Sequence, residues 1–263
     1  MAKVAIVTGS ATGLGAACAV DLAGRGWNVA INYSKSKKEA DDTYAKVKAT
    51  GADAILVQAD MGQDADCKKL AAETMKKWGR IDGLINNAGT TKFQNQGDLD
   101  GVSAEDFDRI LRVNVTGPYM MSRAAFPAMK KQWDEKKERS AIVNISSIAG
   151  VMGVGTSIPY AASKGALNTL TLSLARWFAP AVRVNTVCPG FIQTRWLLGA
   201  LGQADYEKLK ESQEQTTPLR QAGTPAQMAE AALFFLTSAS NITGEFLIVD
   251  AGTHLGALPM KAR

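Results

Sequence analysis

The 263-residue chain holds one histidine, His254. A Ser-His-Asp hydrolase, a histidine-rich zinc site or a histidine-based dehydrogenase would have to be built on that residue alone, so none of the three is favoured. Cysteine is scarce too. Cys18, Cys67 and Cys188 are odd in number and far apart. They outline neither a disulfide framework nor a metal knuckle and suit inert thiols in a reducing, cytoplasmic setting. No apolar stretch approaches the roughly 20 residues of a membrane span. The run from Val4 to Val7 is too short for a signal-peptide core. Clusters of Lys and Arg interleaved with aromatics are missing as well, so the net charge of +5 implies a mildly basic surface and no nucleic-acid partner.

What is present alternates from end to end. Short apolar runs at Val4–Val7, Asn28–Tyr33, Ala54–Ala59, Gly83–Ile85, Ala141–Ile145, Val182–Val187 and Phe246–Val249 read as strands. Helical stretches over Leu14–Arg25, Lys37–Thr50, Asp64–Trp78, Ser103–Met129, Pro159–Phe178 and Ala226–Thr237 lie between them, with Gly117-Pro118 expected to bend the fourth. Repeated βα units predict an α/β fold of the Rossmann type: a doubly wound, seven-stranded parallel sheet with helices on both faces. No Pro/Ser-rich linker divides the chain, so residues 1–263 are expected to form one domain. Thr90–Val102 and Phe191–Gly223 lack a clear period. Each follows a strand, which makes them candidate substrate walls.

The first strand runs into Thr8-Gly9-Ser10-Ala11-Thr12-Gly13-Leu14-Gly15. Gly9 permits a tight strand-to-helix turn, Gly13 lets the backbone approach a pyrophosphate, and Gly15 lets the helix pack close to the sheet. The spacing is G-x3-G-x-G, not the commoner G-x-G-x-x-G dinucleotide fingerprint. An NAD site usually places an acid about 20 residues further on, against the ribose 2′-hydroxyl. Here Asn32-Tyr33-Ser34-Lys35-Ser36-Lys37-Lys38 carries no acid before Glu39. Ser34 and Lys35 could hold a 2′-phosphate, although lysines also solvate helix starts. The missing acid favours NADP(H) over NAD(H).

Tyr160 and Lys164 are four residues apart, on one face of a helix. A free tyrosine has a pKa of about 10 and is a poor base at neutral pH. A nearby ammonium favours the phenolate, so the pair can act as an acid/base near pH 7. Asn144-Ile145-Ser146-Ser147 ends the fifth strand just before this helix. A serine there can donate to a carbonyl oxygen as charge develops on it.

In this order and register, the motifs resemble the short-chain dehydrogenase/reductase family, in its single-domain branch, over nearly the whole chain. The matching pieces are Gly9 to Gly15, Asp60, Asn86-Asn87-Ala88-Gly89, Asn114, Ser147 with Tyr160 and Lys164, and Pro189-Gly190. The resemblance implies that Ser147 orients the substrate carbonyl, the thirteen-residue spacing to Tyr160 favouring it over Ser146. It implies that Tyr160 donates the proton in reduction, that Lys164 lowers the tyrosine pKa and bonds the nicotinamide ribose, and that Asn114 holds a water linking Lys164 to solvent. Cofactor contacts are implied for Gly9, Thr12, Gly13, Leu14, Gly15, Tyr33, Ser34, Lys35, Asp60, Met61, Asn87, Ala88, Gly89, Pro189, Gly190, Ile192 and Thr194.

The implied reaction is hydride transfer between the nicotinamide and a small-molecule carbonyl or alcohol, without a metal, in a homotetramer or dimer. The long helices around Arg112 and Tyr160 and the C-terminal strand are the expected interfaces. Met152, Ile158, Phe191, Trp196 and Leu197 suggest a largely apolar carbonyl substrate, although core or lid packing explains them equally well. The sequence is similar to 3-oxoacyl-(acyl-carrier-protein) reductases, but Ala179-Pro180-Ala181 has no arginine where such a reductase often carries one. A catalytically silent NADP-binding sensor is a further alternative.

Overall fold

The computed structural model describes residues 1–256. Its strands are β1 (Val4–Val7), β2 (Asn28–Tyr33), β3 (Ala54–Gln58), β4 (Gly83–Asn86), β5 (Ser140–Ile145), β6 (Val182–Pro189) and β7 (Phe246–Val249). They form one seven-stranded sheet in the order β3-β2-β1-β4-β5-β6-β7, and every pairing is parallel. Parallel strands are buried on both faces, which is why they read as unbroken apolar runs. Between them run α1 (Gly13–Gly24), α2 (Lys37–Ala49), α3 (Asp64–Trp78), α4 (Ala104–Leu111), α5 (Gly117–Lys136), α6 (Ala149–Met152), α7 (Ile158–Phe178), α8 (Arg195–Leu201), α9 (Gln203–Thr216) and α10 (Pro225–Leu233). The sheet and its flanking helices match the expected doubly wound architecture.

Side chains alternate across the sheet with period two and feed two cores. Ala5, Val7, Ile85 and Val143 face α1 and α10, meeting Leu22, Met228 and Leu233. Ile6, Leu84, Ile142 and Val184 face the other way, meeting Leu70 of α3, Met121 and Met129 of α5 and Leu174 of α7. Strand order reverses between β1 and β4, and the loops leaving those two strands border the crevice where such sheets bind ligands.

Two expectations change. Gly117-Pro118 does not bend the path away from helix. A π-helical turn over Arg112–Thr116 joins α4 to α5, and α5 continues to Lys136. Gly117 serves close packing instead, because a Cβ there would lie 2.7 Å from the Met61 carbonyl oxygen. The segment Phe191–Gly223, expected to be irregular, contains α8 and α9. Neither buries a residue, so neither displays an apolar stripe in the sequence. No helix among the described residues is long and apolar enough to cross a membrane.

Candidate active site

The glycine turn is held from three sides. The Gly9 amide donates to Asn32 Oδ1 (3.0 Å), while Asn32 Nδ2 donates to the carbonyls of Ala59 (3.0 Å) and Val57 (3.3 Å). The amides of Asn87 and Ala88 donate to Thr8 Oγ1 at 2.9 and 3.0 Å, and Asn87 Nδ2 donates to the carbonyls of Thr8 and Gly9. Buried Asn32 on β2 and partly exposed Asn87 past β4 thus lock the loop leaving β1. Both Gly9 and Gly13 have positive φ, +61° and +59°. A Cβ at Gly9 would lie 2.9 Å from Ala88 Cα, and one at Gly15 would lie 2.6 Å from the Gly9 carbonyl oxygen and against the Asn87 amide. Thr12 precedes α1 without a side-chain cap, and no acid occupies the first turn. The leading amides and positive end of α1 are therefore left for an anion, and the cradle fits a dinucleotide pyrophosphate.

Lys35, Lys37 and Lys38 are exposed past the end of β2. Tyr33 is buried beside Ala11 and Ala40, with Lys37 Nζ 6.0 Å from its ring. Ser34 and Lys35 are exposed past β2. Arg195, which sequence reasoning did not single out, reaches this zone from α8. It donates to Ser36 Oγ (3.2 Å) and pairs with Glu39, the first acid after β2. Nothing local in the sequence signals that contact, because it spans 159 residues.

Ser147, Tyr160 and Lys164 converge past the end of β5. Ser157 caps α7 by accepting from the Tyr160 amide, which starts the helix three residues before the tyrosine. Lys164, one turn on, is buried and donates to the Ile145 carbonyl (2.8 Å). Burial pulls its pKa from 10.5 down to about 8. Burial also pushes the Tyr160 phenol up to about 12, with a hydrogen bond to Ser147 opposing it. The expected lowering of Tyr160 by Lys164 is not seen: Lys164 is engaged with the Ile145 backbone, and desolvation of the phenol dominates. Ser146 is buried and donates to the Lys164 carbonyl (3.1 Å), whereas Ser147 is partly exposed beside the phenol. Asn114 sits in the π-helical turn, a distortion frequent at functional sites. It donates to the Thr90 carbonyl (2.8 Å) and Ser163 Oγ (3.0 Å) and accepts from the Thr90 amide (2.8 Å). Gly89 adjoins both functional groups: a Cβ there would lie 3.5 Å from Asn114 Oδ1 and 3.8 Å from Lys164 Nζ.

The remaining candidates divide. Thr194 precedes α8 without a side-chain capping bond and lies over the glycine turn, its Cγ2 3.4 Å from where a Gly13 Cβ would stand. Ile192 bridges to Gly223 beneath it. Pro189 ends β6, and its carbonyl accepts from the Ile148 amide (2.9 Å). Asp60 is exposed, and its carboxylate accepts from the Gly62 amide (2.8 Å). Leu14 and Met61 are core side chains, so any cofactor contact from them comes through the backbone. Gly190 packs on β7: a Cβ there would lie 2.6 Å from Asp250 Cβ. His254 is bound to Asp250, with Nδ1 3.0 Å from each carboxylate oxygen. Among the described residues no cluster could hold a metal ion, and all three cysteines are free and buried.

Residues 9–254 match the family described as enoyl-(acyl carrier protein) reductase. The chain is 39% identical to ketoacyl reductase 2 of the granaticin polyketide synthase of Streptomyces violaceoruber, over 97% of each chain. A 3-oxoacyl-(acyl-carrier-protein) reductase of Staphylococcus aureus is 32% identical over 97% of this chain and 99% of its own. A crystal structure from Burkholderia xenovorans, described as a short-chain dehydrogenase/reductase, superposes with a TM-score of 0.88 at 40% identity, covering 97% of this chain and 99% of that one.

Proposed function

As the chain belongs to the short-chain dehydrogenase/reductase family, we propose that it interconverts a carbonyl and a secondary alcohol using NADP(H), with Tyr160 as general acid and base. The observation that carries this reading is the meeting of Ser147, Tyr160 and buried Lys164 beside the glycine cradle. When bound, the nicotinamide cofactor supplies the hydride.

The chain supplies position and protons. The cradle of Gly9, Gly13 and Gly15, with the leading amides of α1, holds the pyrophosphate. Ser147 donates to the substrate oxygen, fixing it beside the phenol. Tyr160, a phenol neutral at its ordinary pKa of about 10 and more so when buried, delivers its proton to that oxygen in reduction and takes it back in oxidation. Lys164 is the cation that steadies the phenolate left behind, after turning from the Ile145 carbonyl. Two hydroxyls serving one oxygen suit a carbonyl better than an isolated carbon–carbon double bond.

Support for NADP(H) comes from charge. Ser34, Lys35 and Arg195 adjoin the end of β2, and the nearby Glu39 is paired with Arg195. Titration with NADPH and NADH tests this. Tighter NADPH binding upholds it, and a preference for NADH overturns it. Three buried thiols suit a cytoplasmic setting. Exposed Tyr119 on α5 and Leu172 and Trp177 on α7 support a homo-oligomer.

A further inference from the structure

Three consecutive residues at the start of α8 reach three different parts of the crevice. Thr194 lies on the glycine turn, Arg195 reaches α2, and Trp196 turns the other way, toward the reacting phenol. The Trp196 ring centre is 6.2 Å from that of Tyr160 and 5.4 Å from that of Phe93, the latter pair edge to face at 65°. Phe93 comes from the loop after β4, so the two rings belong to separate walls. Trp196 remains 44% exposed, which leaves one of its surfaces open. In the segment before α7, Met152 and Val154 are also exposed, and a Cβ on the following Gly155 would lie 3.6 Å from Tyr160 Cδ1. That segment therefore borders the phenol.

One residue beyond Phe93 and one before Tyr160, a cavity of about 160 Å³ opens, with apolar Leu99, Val102, Phe107 and Ile158 and polar Gln94, Asn95, Asp98 and Ser157 among its walls. In volume alone this is close to the roughly 150 Å³ that accommodates a benzene ring. Gln96 also lines this cavity, and its Nε2 is buried with no hydrogen-bond partner. Buried donors left unmatched are uncommon in a folded protein, and with the amide turned toward the cavity a ligand oxygen would satisfy this one.

We propose that Trp196 and Phe93 form an aromatic jaw that selects flat aromatic ketones, and that the adjoining cavity takes a ring whose oxygen substituent accepts from Gln96. This rests on the carbonyl chemistry proposed above. Stacked and edge-on contacts reward a planar π face over a puckered ring of equal size. Both parts lie outside the proton-transfer group, so they would set which ketone is used without supplying the reaction.

Two bicyclic ketones, 2-tetralone and its saturated counterpart 2-decalone, separate flatness from size. With the full chain and NADPH, kcat/KM should favour 2-tetralone by about tenfold, and Trp196→Ala should erase that ratio while leaving NADPH binding unchanged. Trp196→Phe should restore most of it. A hydroxylated tetralone should gain a further advantage of about tenfold over the parent, lost in Gln96→Leu. Binding of each ketone to the NADPH-loaded protein is measured in parallel by calorimetry. Equal binding and equal turnover of 2-tetralone and 2-decalone, or a ratio that survives Trp196→Ala, overturns the jaw. Selective binding of 2-tetralone without turnover keeps the jaw and overturns the proposed chemistry. An advantage of the hydroxyl that survives Gln96→Leu overturns the role of Gln96.

Discussion

Lys164 Nζ stands 5.5 Å from the centre of the Tyr160 ring and donates to the Ile145 carbonyl at 2.8 Å. The cation is thus stored next to the phenol, bound to backbone, and desolvated. Burial acts in opposite directions on the two groups, pushing the phenol up to about 12 and the ammonium down to about 8. At neutral pH this leaves a protonated donor and a cation that is costly to bury.

That cost makes a stability prediction. The folded protein holds the Lys164 proton less tightly than the unfolded chain does, so the penalty is full below pH about 8 and gone above 10.5. At 1.36 kcal/mol per pH unit it amounts to at most about 3 kcal/mol, offset by about 1 kcal/mol for the bond to Ile145. Lys164→Met should therefore stabilise the fold near neutral pH, lose that gain as pH rises toward 10.5, and abolish turnover. Urea unfolding at several pH values measures the first two, and destabilisation near neutral pH would contradict the argument.

The same shift predicts a pH profile. Reduction should run level below pH about 8 and decline above it, as Lys164 loses its charge while Tyr160 keeps its proton. A rate that stays level until Tyr160 itself titrates would assign Lys164 no electrostatic part.

Ser146 and Ser147 should separate cleanly. Removing a donor aimed at developing charge costs about 10²- to 10³-fold in kcat, and Ser147→Ala is expected to show that loss with cofactor binding intact. Ser146 bonds the Lys164 carbonyl, so Ser146→Ala should mainly lower stability, by about 1 kcal/mol. Steady-state kinetics beside thermal unfolding distinguishes the two.

Charge reversal at the end of β2 tests cofactor choice. Lys35→Glu should weaken NADPH about 10- to 100-fold relative to NADH, the loss expected when a charge-assisted contact becomes a repulsion. Arg195→Ala should shift the same ratio in the same direction, because its guanidinium reaches Ser36. Fluorescence titration with both dinucleotides reads the ratio, and equal losses for NADPH and NADH would contradict the assignment.

Much of this architecture was legible because its periods are strong. Val4–Val7 and Ala141–Ile145 are wholly buried, so their apolar runs mark central parallel strands directly. Tyr160 and Lys164 share a helix face by spacing alone. What stayed hidden depends on contacts between distant segments. α8 and α9 bury nothing and so carry no stripe. Phe93 and Arg195 acquire meaning only when α8 folds over the crevice. The desolvation that dominates the Tyr160 phenol, outweighing its hydrogen bond to Ser147, is a property that no spacing reveals.

The central claim is that Tyr160 moves the proton that accompanies hydride transfer. Ketone-dependent oxidation of NADPH by the wild-type chain and by Tyr160→Phe, with NADPH affinity measured on both, tests it most directly. The account predicts loss of about 10²- to 10⁴-fold in turnover, the range for a removed general acid, with cofactor affinity within about twofold. A Tyr160→Phe protein that reduces the ketone at the wild-type rate would contradict it.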